Sequence, residues 1–199
     1  MKTAREATKL TVDEFLAEYR DVDDGNIYEL QDGEVIVSPP PGSQHGELHV
    51  ILSWLLSVYE ESHAGIRIFD SSGIAFDDDT LRGPDLTVVK PHDAVTFEDS
   101  KMCGVPSIVI EIVSPNKKRL DLVVKRGLYT SKGIAEIWYF DVDAQEALFL
   151  CKTRSGYAER KLTSGVFESK VLKGFCVDVE ALFALDKKVL RQALTRKRE

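Results

Sequence analysis

Cysteine is scarce in this chain: three among 199 residues, at positions 103, 151 and 176, with no C-x-x-C pair. They are too few and too scattered for a disulfide framework, so a reducing cytoplasm is the expected setting. Long apolar runs are missing as well, and nothing approaches the roughly 18–20 residues of a membrane span. The opening MKTAREATKLTVDEF lacks the continuous apolar core of a signal peptide. A basic surplus is also absent: Lys and Arg number 26 against 33 Asp and Glu, for a net charge of −7. That argues against coating nucleic acid through bulk charge, while leaving open an enzyme with a locally basic groove. Neither repeats nor low-complexity tracts occur.

What is present is ordinary for a globular protein, at 43% hydrophobic and 30% charged residues. The length fits a single domain over 1–199 with a substantial core. Charge is uneven, because the segment from Asp186 onward carries six basic and two acidic residues, net +4, which leaves the rest at −11. Such a tail reads either as a nucleic-acid arm or as a solvated C-terminal helix, and the helix is the expected reading.

Thr11 followed by Glu14 predicts a capping box and a short helix through Tyr19. Asp32-Gly33 between YELQ and EVIVS predicts a hairpin, closed off by the prolines at 39–41. Leu48, Ile51, Leu52, Leu55, Leu56 and Tyr59 recur at helical spacing, predicting a long helix from Ser43 to about Ser62. Strands are expected at 66–69, 73–76 and 85–89, and a polar connection from Lys90 to Gly104. A buried strand over 107–113, a helix over 120–132 and the strand 136–141 read as a parallel crossover unit. Short strands follow at ALFLC, GYAERKL and FESKVL, with a helical cap at 179–185. The whole predicts an α/β fold with a mixed sheet flanked by helices.

Three carboxylates stand in segments whose neighbours favour burial: Glu29 in IYEL, Asp85 opening DLTVV, and Glu111 inside SIVIEIV. An unpaired buried carboxylate costs several kcal/mol, so Glu111 needs a cation, a proton or a metal. Fourteen residues on, Lys125 lies on a helix with Asp121 and Tyr129 at i−4 and i+4, on one face. Leu122 and Leu128 are expected to point into the core. Converging carboxylates would repel unless they shared a proton or bound a hard cation, and oxygen ligands suit Mg²⁺ or Mn²⁺. Each member has a bland alternative: a sheet-edge ion pair for Glu111, solvent exposure for Glu29, a turn for Asp85. The combination is what points to chemistry.

Pro84-Asp85 followed by Glu111 in an apolar strand resembles the PD-(D/E)xK nuclease superfamily. YELQDGEVIVSPPP, Gln44-His45, RGPDLTVV and IVIEIVSPNKKRLDLVVKRGLYTSKGIAEIWYFD are more closely similar to the Uma-two family of restriction-endonuclease-like proteins. The likeness covers about residues 28–141, with additional strands and the tail at 142–199. It implies a restriction-endonuclease-like core and Mg²⁺-dependent (or Mn²⁺-dependent) hydrolysis of nucleic acid, with DNA as the expected partner. Carried over, Asp85 and Glu111 would be metal ligands and Glu29 an auxiliary one. Val113 stands where the superfamily lysine belongs, two residues after Glu111, which makes Lys125 the candidate catalytic lysine, held by Asp121 and Tyr129.

Gln44 and His45 are then candidate substrate contacts, as are Lys117, Lys118 and Arg119 in the loop after the Glu111 strand. His45 and His49 sit at i, i+4, but Gly46 replaces the glutamate of H-E-x-x-H, so a zinc hydrolase is the weaker reading. Trp54 and Trp138 read as core. A homodimer is expected, because cutting two strands suits twofold symmetry. The alternative to an enzyme is a silent module that binds nucleic acid or protein on the same fold.

Overall fold

The computed structural model describes residues 9–98, 100–115, 118 and 120–195. The chain divides into two compact units. The smaller takes in the chain up to Pro40 together with Gly73–Gly83 and Thr96–Gly104; the larger comprises Pro41–Ser72, Pro84–Val95 and the chain from Val105.

In the smaller unit, helix α1 (Val12–Tyr19) opens on the predicted capping box. Thr11 accepts from the Glu14 amide, and the Glu14 carboxylate accepts from the Thr11 amide at 2.8 Å. Strands β1 (Ile27–Gln31) and β2 (Glu34–Ser38) pair antiparallel around Asp32 and Gly33. Both turn residues have positive φ, 50° and 79°, the type I′ geometry whose twist matches a hairpin. Of the next six strands, β4 (Ile74–Asp77), β5 (Thr80–Arg82), β7 (Val95–Glu98) and β8 (Lys101–Gly104) join this sheet, while β3 (Arg67–Asp70) and β6 (Leu86–Val89) join the sheet of the larger unit. The sheet of the smaller unit has the order β2-β1-β5-β4-β8-β7. Its core is Val12, Phe15, Leu30 and Leu81.

The expected connection over 90–104 is therefore in part a pair of strands. VTFE alternates apolar and polar residues but over only four positions, KMCG does not alternate, and pairing decides the structure of the second: Ile74 and Ala75 of β4 align with Met102 and Cys103 of β8. Short strands of this kind owe their form to a neighbour rather than to propensity.

In the larger unit, α2 (Ser43–Glu60) carries the six predicted apolar residues on its buried side. Strands β9 (Ile108–Val113) and β10 (Glu136–Asp141) are buried along their whole length and pair in parallel, as the crossover requires. With β11 (Glu146–Thr153) and β12 (Gly156–Leu162) they form the order β12-β11-β10-β9-β6-β3. Strands β13 (Val166–Glu168) and β14 (Cys176–Asp178), helix α4 (Val179–Phe183) and helix α5 (Lys187–Thr195) complete the unit. Leu86, Val88, Ile108, Ile110, Ile112, Trp138 and Phe140 share one core with α2 and with Phe167, Phe175 and Leu182. Because side chains alternate along a strand, that assignment turns Glu111 and its flanking valines to the opposite face.

That opposite face meets the connection between β9 and β10. The connection begins as a π-helical turn, Leu120–Lys125, and continues as α3 (Arg126–Lys132), which ends on Gly133 at φ 76°. Its buried residues are Asp121, Lys125 and Tyr129, whereas Leu122 and Leu128 are only half-buried. The expectation that the leucines turn to the core is thus corrected. The polar face of this helix is the one that packs, because Glu111 waits beneath it. Among the described residues no helix is long and apolar enough to cross a membrane.

Candidate active site

Glu111 is 3% exposed. Lys125 Nζ lies 3.1 Å from its carboxylate, and Tyr129 donates its hydroxyl to Oε1 at 2.5 Å. Asp121 Oδ1 lies 3.7 Å from the same ammonium. The partner that an acid inside an apolar strand demands is therefore a cation and a hydroxyl from the next helix. The π-helical turn brings Asp121 and Lys125 onto the side of Glu111, and such turns recur at functional sites. Tyr129 holds the carboxylate directly and supports Lys125 through it.

The register Leu86↔Ile110 and Thr87↔Val109 brings Asp85, the residue just before β6, to the Glu111–Ile112 stretch of β9. Asp85 Oδ2 accepts from the Ile112 amide at 2.6 Å, within the peptide unit that begins at the Glu111 carbonyl. Its Oδ1 lies 3.1 Å from His45 Nε2. His49, on the next turn of α2, places Nε2 3.1 Å from both the Asp85 carbonyl and the Asp70 carboxylate. The His45 and His49 rings stack 6.3 Å apart. Their Nε2 atoms are engaged by carboxylate and carbonyl oxygens, and among the described residues no three His, Cys, Asp or Glu side chains form a metal-binding cluster. The zinc-pair alternative gains nothing from this geometry.

On β10 the parallel register sets Tyr139 beside Glu111. Among the described residues its buried hydroxyl has no hydrogen-bond partner. Burial first, then the nearby Glu111 and Asp121 carboxylates, push its ionisation upward.

The donor set fits a hard divalent cation by type. One or two carboxylates, here Glu111 on β9 and Asp85 just before β6, are the usual protein contribution to a Mg²⁺ that keeps several waters. Both carboxylates are already oriented by protein donors, Asp85 by an amide and an imidazole, Glu111 by an ammonium and a phenol.

The family profile described as "Putative restriction endonuclease" matches residues 12–180. The chain belongs to the Uma2 family. A crystal structure of a "putative nuclease belonging to DUF820" from Anabaena variabilis matches with a TM-score of 0.72 at 18% identity, covering 88% of this chain and 98% of that one. That likeness is one of fold, a mixed α/β architecture. No protein of curated function matches.

The remaining expected positions fall differently on this Uma2 fold. Glu29 lies in the smaller unit, where it is buried rather than facing solvent. It is 3.2 Å from Arg82 Nη1 and accepts from the Gly83 amide at 3.0 Å. Arg82 is fully buried and also donates to Gln31. In the larger unit Gln44 is exposed on the first turn of α2, while His45 is 8% exposed and its Nδ1 has no partner among the described residues. Lys118 is tied to Asp141 at 3.0 Å and Asp143 at 3.5 Å, and the Asp141 hydrogen bond holds its ammonium above the usual lysine range. Lys117 and Arg119 lie outside the described residues.

Two groups escaped sequence reading. Asp70 joins the histidine array although nothing in RIFD marks it. Glu136, at 1% exposure, accepts from the Lys170 amide at 2.7 Å, the Ser169 hydroxyl at 2.7 Å and the Trp138 indole at 3.1 Å. It is an acid in a buried strand like Glu111, yet its donors are largely backbone and hydroxyl, which makes it a pin for the 169–172 turn. The composition of EIWYFD resembles that of SIVIEIV closely enough that only the partners tell them apart.

Proposed function

We propose that this chain is a divalent-metal-dependent nuclease whose centre is built on Asp85, Glu111 and Lys125. The observation that carries the reading is the Lys125–Glu111–Tyr129 cluster on β9, whose next residue, Ile112, holds the Asp85 carboxylate through its amide. A lysine absent from the strand at Val113 reaches the strand acid from the following helix. Asp85 and Glu111 would hold Mg²⁺ or Mn²⁺, which would supply Lewis-acid chemistry at the phosphoryl group.

The protein's own groups do the rest. His45 and the Ile112 amide fix the Asp85 carboxylate, and Tyr129 fixes Glu111, so neither has to be ordered when a phosphodiester arrives. Lys125 brings a positive charge to the scissile phosphate, orients water for in-line attack on phosphorus and offsets charge developing on the phosphoryl oxygens. Asp121 limits where that ammonium can go. Nucleic acid is the substrate class, with DNA the first candidate, and a homodimer would present two such centres.

Cleavage of supercoiled plasmid and of single-stranded DNA with Mg²⁺ or Mn²⁺ tests this. Wild type is expected to cut, and Lys125→Ala and Glu111→Gln to lose at least about a hundredfold, the scale of removing one charge-stabilising group. Retained cleavage in Lys125→Ala would overturn the assignment of the lysine. A second reading, a silent binding module, is favoured by the protein donors that already occupy both carboxylates. Calorimetric titration with Mn²⁺ separates the two, because a silent module gives no heat that Glu111→Gln abolishes.

A further inference from the structure

Trp54 was expected to be core, yet it is only partly buried on the flank of α2, against α5. With Lys187, Lys188, Arg191 and Gln192 it lines an open groove of about 590 Å³. The Lys187 ammonium stands 6.0 Å from the Trp54 ring centroid. Residues 187, 188 and 191 fall within about 100° of one another around a helix, so the three cations form one exposed face. Leu190, fully buried, anchors the helix along the edge of that face.

Helix α5 contains no acidic residue. Neither Lys187 nor Lys188 has a carboxylate partner among the described residues. This is a local concentration of positive charge on a chain whose net charge is −7.

A solvated terminal helix would explain the cations but not their placement over a half-open indole. Cations in a row beside an aromatic face are what a single strand of nucleic acid requires, phosphates on the ammonium groups and a base against the ring. We propose that the α5–Trp54 face is an accessory docking surface for single-stranded nucleic acid. It rests on the nuclease reading for its partner, since it would hold substrate strand away from the Glu111 centre. No chemistry occurs there, and the surface contributes affinity and salt dependence rather than turnover.

Binding of a fluorescein-labelled single-stranded oligonucleotide to wild type in EDTA, followed by anisotropy across a salt series, is the test. The double variant Lys187→Gln/Lys188→Gln is expected to bind several-fold more weakly and to flatten the log–log salt slope by about 1 to 2. Trp54→Leu is expected to lose at least about fivefold, the lower end of a base–aromatic stack. Unlabelled oligonucleotide should quench wild-type tryptophan emission by contact, and Trp54→Leu should abolish that quenching, because Trp138 is fully buried. Thermal melting confirms that the variants fold. Unchanged affinity and slope in the double variant, or binding to phosphatidylserine vesicles with none to oligonucleotide, would overturn the proposal. If the double variant binds like wild type while wild type still cleaves, the surface falls and the nuclease stands. If the variant loses affinity while wild type cleaves nothing, the surface stands and the nuclease falls.

Discussion

At the scale of single residues, Glu111 and Lys125 hold each other in an environment that neither tolerates alone. Removing one charge of a buried pair leaves the other uncompensated and costs about 3 kcal/mol or more. Glu111→Gln is therefore expected to destabilise the protein by about that amount in urea unfolding, whether or not a metal binds. The two nearby tyrosines separate in the same assay. Tyr129→Phe deletes a hydrogen bond to a buried carboxylate and should cost about 2 kcal/mol. Tyr139→Phe deletes a hydroxyl with no partner among the described residues and should fall within about 0.5 kcal/mol of wild type. The Tyr139 hydroxyl ionises above its ordinary 10.0 in the fold. Its contribution is intact below pH 10.0 and is lost as pH rises beyond that, because the unfolded chain ionises first. Tyr139→Phe should accordingly move the alkaline unfolding midpoint upward.

Among the elements, α1 and the β9–β10 crossover show two ways of specifying a helix. The capping box of α1 is local, and Thr11→Ala should cost about 1 kcal/mol of stability. The Glu14 carboxyl is lowered from 4.5 by the Thr11 backbone and side chain, so its share is present above pH 4.5 and fades as pH falls through the lowered value. Far-UV circular dichroism across an acid titration, with and without Thr11→Ala, reads both effects. The crossover helix was legible as a helix from its composition, and the Asp121, Lys125 and Tyr129 face from their spacing. Which face packs was not. Leu122 and Leu128 lose the contest for burial because an acid in the strand below, once committed to the interior, can be satisfied only by the lysine and the tyrosine.

For the molecule as a whole, protection from solvent follows the fully buried strands. Amides of β9 and β10 are expected to exchange hydrogen slowest, at rates set by global unfolding. Those of the exposed edge strand β12 and of α5 should exchange through local opening. Mass-spectrometric hydrogen exchange should therefore rank the peptide 108–113 far above 156–162. The contrast has a functional side, since the residues that would need fixed positions for phosphodiester chemistry lie on or beside the slowest strands. The cationic face lies on an element expected to exchange through local opening.

Patterns that depend on near neighbours were set by the chain alone. The capping box, the Asp32-Gly33 turn, the α2 stripe and the two buried parallel strands all rest on spacing within one element or on backbone preference. So did the anomaly of Glu111, because a charge in a β-branched run is visible without coordinates. The tertiary structure decided what answers it, and that required a partner fourteen residues away on another element. It alone set His49 against the Asp70 carboxylate and the Asp85 carbonyl, made a strand of KMCG, and distinguished Glu136 as a structural pin from Glu111 as a candidate ligand. The physical reason is common to all of these. A buried polar group is defined by the donors that surround it, and a short strand by the edge it pairs with, and both arrive from distant parts of the chain.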